Sequence, residues 1–160
     1  MMLETNAELL GRVPIFEGLT PARLDRIVRS SREVYFEPGQ ALITAGESGR
    51  SAFLILGGAA MAAPYGWGQD AGELLGYGTL LGEMAMLAET IFTITVIARR
   101  QVRALALDRS VLYALMEEDP AIARHFAGKL VGRLRRLADD LRQVDGRFAA
   151  IEVSLEQSLA

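Results

Sequence analysis

A single histidine, His125, and the complete lack of cysteine set the first limit on the chemistry open to this 160-residue chain. Thiolate nucleophiles, disulfides and cysteine-ligated metals are excluded, and so are cages that need several imidazoles. A cupin-like metalloenzyme would need several ligands where the sequence offers only His125, so the chain reads as a non-enzyme. Charge gives the second signal. There are 17 Lys and Arg against 20 Asp and Glu, a formal net charge of −3, which argues against a basic surface over the whole protein. Residues 121–150 nevertheless carry seven bases against three aspartates, +4 on that stretch and −7 on the remainder. A basic helix can touch nucleic acid, but a solvated outer face with pairs such as Arg136 and Asp140 at i,i+4 is the simpler reading.

Those bases lie on the most regular pattern in the chain. Ala123, Ala127, Leu130, Leu134, Leu137, Leu141, Val144, Phe148, Ile151 and Leu155 alternate in steps of 4 and 3, an unbroken heptad stripe that begins just past Asp119-Pro120. The stripe can pack on the rest of the protein as far as Leu134. Beyond Leu137 a domain of this size runs out of surface, so the spacing predicts a parallel homodimer through Leu130, Leu134, Leu137, Leu141, Val144 and Phe148.

Ahead of that helix the period changes. A first helix around Leu9 and Leu10 leads to an irregular turn at Val13-Pro14-Ile15-Phe16, and a second helix opens at Thr20 with Pro21 at its first position and Leu24, Ile27 and Val28 on one face. From Glu33 to Asp108 short apolar runs are punctuated by glycine: Val34–Phe36, Ala41–Ala45, Ala52–Leu56, Ala59–Ala63, Glu73–Tyr77, Ile91–Ala98 and Val102–Leu107. Pro38-Gly39 suits the centre of a type II turn, and Arg99-Arg100-Gln101 reads as a hairpin turn. Ser51 to Gln69 is free of charge but interrupted by Gly57, Gly58, Pro64, Gly66 and Gly68, which favours a buried hairpin and a loop over a membrane span. A short helical segment over Val111–Met116 follows the last strand. The expected fold is therefore α+β, mainly β: a small β-barrel or jelly roll over 1–117 with short N-terminal helices, and a long C-terminal dimerisation helix over 118–160. Acidic Glu4 and Glu8 and the lack of a basic n-region point to a cytoplasmic protein.

This order of elements resembles the cyclic-nucleotide-binding domains of the catabolite-activator and Fnr type. Pro14-Ile15-Phe16-Glu17-Gly18-Leu19 is similar to the family's opening turn, Gly39, Gly46 and Gly58 match its turn glycines, and Gly82-Glu83-Met84-Ala85-Met86-Leu87 resembles the start of its phosphate-binding cassette. The resemblance implies a cyclic nucleotide, cAMP or cGMP, as the candidate ligand and no certain cofactor. It implies binding by Gly82, Glu83, Met84 and Ala85 through backbone amides and a Glu83 contact to the ribose 2′-hydroxyl, and by the strand residues Phe92, Thr93 and Ile94 opposite.

The match then departs from the family. Where the resemblance calls for a phosphate-pairing arginine, nine residues after Glu83, stands Phe92; Thr93 fits the next position, and Ile94 replaces a small alanine. Alternation along a strand would place Phe92, Ile94 and Val96 on the ligand side. Arg99 and Arg100 lie several residues farther on, too far along a strand to stand in. The reading is thus a dimeric regulatory or sensor protein in which cAMP or cGMP binding is weakened or lost; the alternative is a working cyclic-nucleotide receptor with another phosphate contact. A further partner protein is compatible with either. Little sequence follows Leu155 to supply a recognition helix, so no specific DNA binding by this chain alone is expected, and the interrupted run over Ser51 to Gln69 leaves no membrane contact expected either.

Overall fold

A computed structural model describes residues 3–63 and 72–159, the side chains of Phe148 and Leu159 excepted. Helix α1 (Asn6–Gly11) opens with a capping box: the Glu8 amide donates to Thr5 Oγ1 at 3.1 Å, and the Thr5 amide donates to the Glu8 carboxylate at 3.2 Å. It buries Leu9 and Leu10, and a 3₁₀ turn at Pro14–Phe16 buries Ile15 and Phe16. Helix α2 (Pro21–Ser30) starts as its sequence implies, with Thr20 Oγ1 accepting from the Arg23 amide at 3.3 Å and Leu24 and Ile27 buried.

Ten strands follow among the described residues: β1 (Arg32–Phe36), β2 (Ala41–Ile43), β3 (Ser48–Gly49), β4 (Ser51–Gly57), β5 (Ala60–Ala63), β6 (Glu73–Leu75), β7 (Leu80–Leu81), β8 (Thr90–Ile91), β9 (Thr95–Ala98) and β10 (Val102–Asp108). They form two four-stranded antiparallel sheets, ordered β1-β10-β4-β7 and β2-β9-β5-β6, and a β3-β8 ribbon. One core joins the two sheets, with Ile55, Leu81, Val102 and Ala104 from the first meeting Leu42, Ile43, Ala60, Val96 and Ala98 from the second. The mainly β architecture with flanking helices is the expected one. Helix α3 (Arg109–Glu118) packs on β10, and α4 (Pro120–Leu159) continues as a single helix of 40 residues. The chain divides into two compact units, Met1–Ala123 and Arg124–Ala160.

Three expectations are corrected. Gly57-Gly58 does not close a hairpin: β4 pairs with β10 and β7, β5 pairs with β6 and β9, and the chain crosses between sheets there. Arg99-Arg100-Gln101 is the matching crossover from β9 to β10, and the Arg99 and Arg100 amides both donate to the Ala59 carbonyl, at 2.8 and 3.2 Å. The two crossovers touch so closely that a Cβ on Gly58, which sits at φ +90°, would lie 2.1 Å from the Gln101 oxygen. The run Ile91–Ala98 is not one strand either, because it breaks at Phe92–Ile94 as its partner changes from β3 to β2 and β5. Two-residue strands β3 and β7 are too short to leave a periodic signal. The loop expected after β5, over 64–71, lies outside the described residues.

On α4 the first buried side chains are Ile122 and Phe126, rather than the heptad alanines; Ala127 is exposed. Large residues hold the buried face where alanine would leave a void. Farther along, Leu134, Leu137, Leu141 and Val144 are all exposed, and the side chain of Phe148 is outside the described residues.

The junction of β10 and α3 is tied by Asp108, whose carboxylate accepts from Arg32 at 2.7 and 2.9 Å and from the Ser51 hydroxyl, joining β1, β4 and β10. Arg32, with a smaller contribution from Ser51, holds this carboxyl below its ordinary value of 3.8 despite partial burial. A carboxyl depressed in the folded state stabilises above its ordinary value, and that stability is lost as pH falls through the lower folded value. The protein is therefore expected to lose stability from about pH 4 downward more steeply than Asp108→Asn, which should be the less stable of the two at pH 7. Denaturant titrations at several pH values test this; parallel curves would contradict it.

Candidate ligand cleft

Strand β7 ends at Gly82, which takes the left-handed conformation (φ 66°, ψ 37°) and turns the chain into a 3₁₀ segment at Glu83–Met86. The Ala85 amide donates to the Gly82 carbonyl at 2.9 Å, and the Leu87 and Ala88 amides both donate to Met84, at 3.0 and 2.9 Å. Ala85, Met86 and Leu87 are buried, Glu83 is half-buried, and Met84 stays exposed. The turn is thus anchored by its apolar side, with Gly82 and Glu83 left at its lip.

The facing wall is built from β8 and Phe92–Ile94. The Phe92 backbone is held twice: its amide donates to the Glu47 carbonyl at 3.0 Å, and the Gly46 amide donates to its carbonyl at 2.8 Å. With its backbone fixed, the ring is laid across two glycines. A Cβ on Gly49 would meet Phe92 Cζ at 2.7 Å, and one on Gly82 would meet Phe92 Cε1 at 2.8 Å. The ring therefore occupies the space beside the first residue of the turn and packs half-buried against the core.

Between these walls lies a cleft of about 360 Å³ lined by Ile43, Leu80, Leu81, Gly82, Glu83, Met84, Ala85, Thr90, Ile91, Phe92, Thr93 and Ile94. All seven residues singled out in the sequence, Gly82, Glu83, Met84, Ala85, Phe92, Thr93 and Ile94, share this one lining. Thr93 departs from the expected alternation. Because the strand breaks, Thr93 lines the cleft beside Phe92 and Ile94 instead of facing away. Among the described residues Glu83 is the one ionisable side chain in the lining, and neither Arg99 nor Arg100 belongs to it. Arg99 lies elsewhere, with Nη2 3.5 Å from the Met61 sulfur.

Sequence reasoning missed Arg109. From the first turn of α3 its Nη1 donates to the carbonyls of Gly49, Ala85 and Ala88 at 3.1, 3.2 and 2.9 Å, and the Tyr113 hydroxyl donates to the Leu87 carbonyl. These bonds fix the end of the turn and the ribbon strand β3 to one helix. A base after a strand has no signature in sequence, since its acceptors are backbone carbonyls brought together by the fold. A second recess of about 420 Å³ shares Leu80 and Glu83 with the first and is lined also by Arg12 and Tyr77. There Glu4 accepts from Arg12 at 2.6 and 2.7 Å and from Tyr77 at 2.7 Å, and Arg12 above all holds its carboxyl below the ordinary range. Among the described residues no three metal-ligating side chains converge, and no helix is long and apolar enough to cross a membrane.

Sheets, turn and cleft together define a ligand-pocket domain of recognisable class. The family model described as "Cyclic nucleotide-binding domain" matches residues 33–119, more than half of the chain, and the chain belongs to that family. The match contains both walls of the cleft and α3, and it stops where α4 begins. The chain is 27% identical over 158 residues to a "CRP-like cAMP-activated global transcriptional regulator" of Mycobacterium tuberculosis, covering 94% of this chain and 70% of the relative. It is 29% identical over 124 residues to the "Cyclic AMP receptor protein" of Thermus thermophilus, covering 76% of this chain and 57% of that one. The N-terminal domain of a transcriptional regulator from Streptomyces coelicolor A3(2) shares the fold, with a TM-score of 0.73 at 23% identity over 82% of this chain and 92% of that one.

Loss of the Arg109 bonds should loosen the turn without unfolding the sheets. In Arg109→Met, hydrogen exchange of the Ala85, Leu87 and Ala88 amides is expected to accelerate at least about tenfold, the equivalent of one charge-assisted bond. Exchange in β4 and β10 should change less. Unaltered protection of the turn would show that Arg109 does not hold it.

Proposed function

We propose that this chain is a non-enzymatic regulatory module of its family, dimeric through α4, in which binding of cAMP or cGMP is weakened or lost. The observation that carries this reading is the Phe92 ring, which lies against Gly82 and Gly49 at the position where the resemblance calls for a phosphate-pairing arginine. Loss of a desolvated arginine–phosphate pair costs about 2–5 kcal/mol, roughly thirty- to several-thousand-fold in affinity. The ring adds a steric term, since a phosphate cannot share its space. In this reading the 1–117 segment senses and the 118–160 segment dimerises. Arg109 and Tyr113 tie the turn to α3 by hydrogen bonds, and α3 runs through Asp119 into α4, which gives occupancy of the cleft a route to the long helix. A partner protein reading that helix would complete such a regulator.

The names of the Mycobacterium and Thermus relatives favour a second reading, a working cAMP receptor with a different phosphate contact. Calorimetry separates the two. The natural chain is expected to bind cAMP and cGMP poorly, Phe92→Arg with Ile94→Ala to gain at least about tenfold, and Glu83→Ala in that background to lose part of the gain. Sub-micromolar binding by the natural chain would establish the second reading.

Dimerisation is supported by exposed Leu134, Leu137, Leu141 and Val144 along one heptad stripe, apolar area that association would remove from water. In a parallel pair Asp140 would face the partner's Asp145, a like-charge contact costing a few tenths of a kcal/mol, roughly, and outweighed by several leucines. Sedimentation at tens of micromolar should show a dimer, and Leu134→Asp with Leu141→Asp a monomer. A monomeric natural chain would remove this part of the proposal.

A further inference from the structure

Resting on the reading that the cleft does not serve an ordinary cyclic nucleotide, we propose that it binds a neutral, apolar small molecule carrying an aromatic ring. Its size, about 360 Å³, is that of a small-molecule pocket. Its walls are apolar from both sides, with Leu80 of β7 and Met84 of the turn on one and Ile43, Ile91, Phe92 and Ile94 on the other. Among the described residues no lysine or arginine belongs to the lining, and its only ionisable side chain is an acid, Glu83. An anion entering this cleft would be desolvated with no side-chain cation of the described lining to compensate.

Nor is a cation held in reserve at the turn. Arg109 reaches it from behind, but its Nη1 is directed at the carbonyls of Gly49, Ala85 and Ala88, and serving an anion in the cleft would mean giving up the bonds that fix the turn. The apolar side chains around the recess remain wet in the free protein: Ile91 is 62% exposed, Ile94 37% and Met84 36%. Phe92 offers an aromatic surface whose inner edge is fixed on Gly49 and Gly82, so a ring stacked on it meets a rigid platform. The hydroxyls of Thr90 and Thr93 in the same lining can orient one uncharged polar group. The shape and chemistry together select a flat neutral molecule with a single hydrogen-bonding end.

Two probes that share one ring test this: naphthalene-2-methanol, which is neutral, and naphthalene-2-carboxylate, which is an anion at pH 7. In methyl-resolved NMR of the full chain, the alcohol is expected to give saturable shifts of the Ile91, Ile94 and Met84 methyls, with Ile151 on α4 unmoved. The carboxylate should bind at least tenfold more weakly. Ile94→Asp, at a partly exposed position, should abolish the shifts, and Phe92→Arg should reverse the preference between the probes. Absence of saturable shifts at millimolar alcohol, equal binding of the carboxylate, or shifts confined to α4 would overturn the proposal. Failure here with cAMP binding also weak leaves the preceding reading intact, whereas sub-micromolar cAMP binding removes that reading whatever the alcohol does.

Discussion

The placement of one aromatic ring on two glycines governs the cleft. The Phe92 ring would clash with a Cβ added to Gly49 or to Gly82, so the ribbon, the turn and the facing wall meet at one ring. Both glycines are therefore required by the ring as much as by the turn. At Gly82 the requirement is double, since its left-handed backbone would strain any other residue even with the ring removed. An arginine at 92 would direct a long charged side chain into the cleft; a phenylalanine closes it from one side and turns its surface apolar.

The scaffold behind the ring is polar and tightly coupled. Adjacent residues at the start of α3 do separate work: Asp108 gathers Arg32 and Ser51 from the first sheet, while Arg109 gathers three carbonyls from the ribbon and the turn. At the other end of α3, Asp119 accepts from Arg23 of α2 at 2.7 Å, fixing the point where α4 begins. Helix α3 is held at both ends.

Much of this was legible in the sequence because it rests on local rules. Thr20-Pro21 and the heptad stripe mark helices by caps and periodicity, and the Pro38-Gly39 turn closes as its residues dictate, with the Gln40 amide donating to Glu37 at 3.0 Å. What failed was strand pairing. Gly57-Gly58 and Arg99-Arg100-Gln101 have the composition of hairpin turns, and only the tertiary pairing of β4 and β5 with different partners makes them crossovers. The break at Phe92 was hidden for the same reason: its cause is the backbone of Gly46 and Glu47, forty-five residues away in sequence. The seven residues that share the cleft lining were singled out by residue type and motif, which survive errors of pairing; Arg109 was missed because its acceptors have no side-chain identity.

In the function proposed above, the Phe92 ring stays seated on Gly49 and Gly82 and so denies that space to a cyclic phosphate. A nuclear Overhauser measurement on protein labelled at phenylalanine and glycine reads that contact directly. Cross-peaks are expected from the Phe92 ring to the α-protons of both glycines, and they should persist in millimolar cAMP. Their disappearance on adding cAMP, with the ring moved out and the nucleotide's protons near Gly82 in its place, would contradict it.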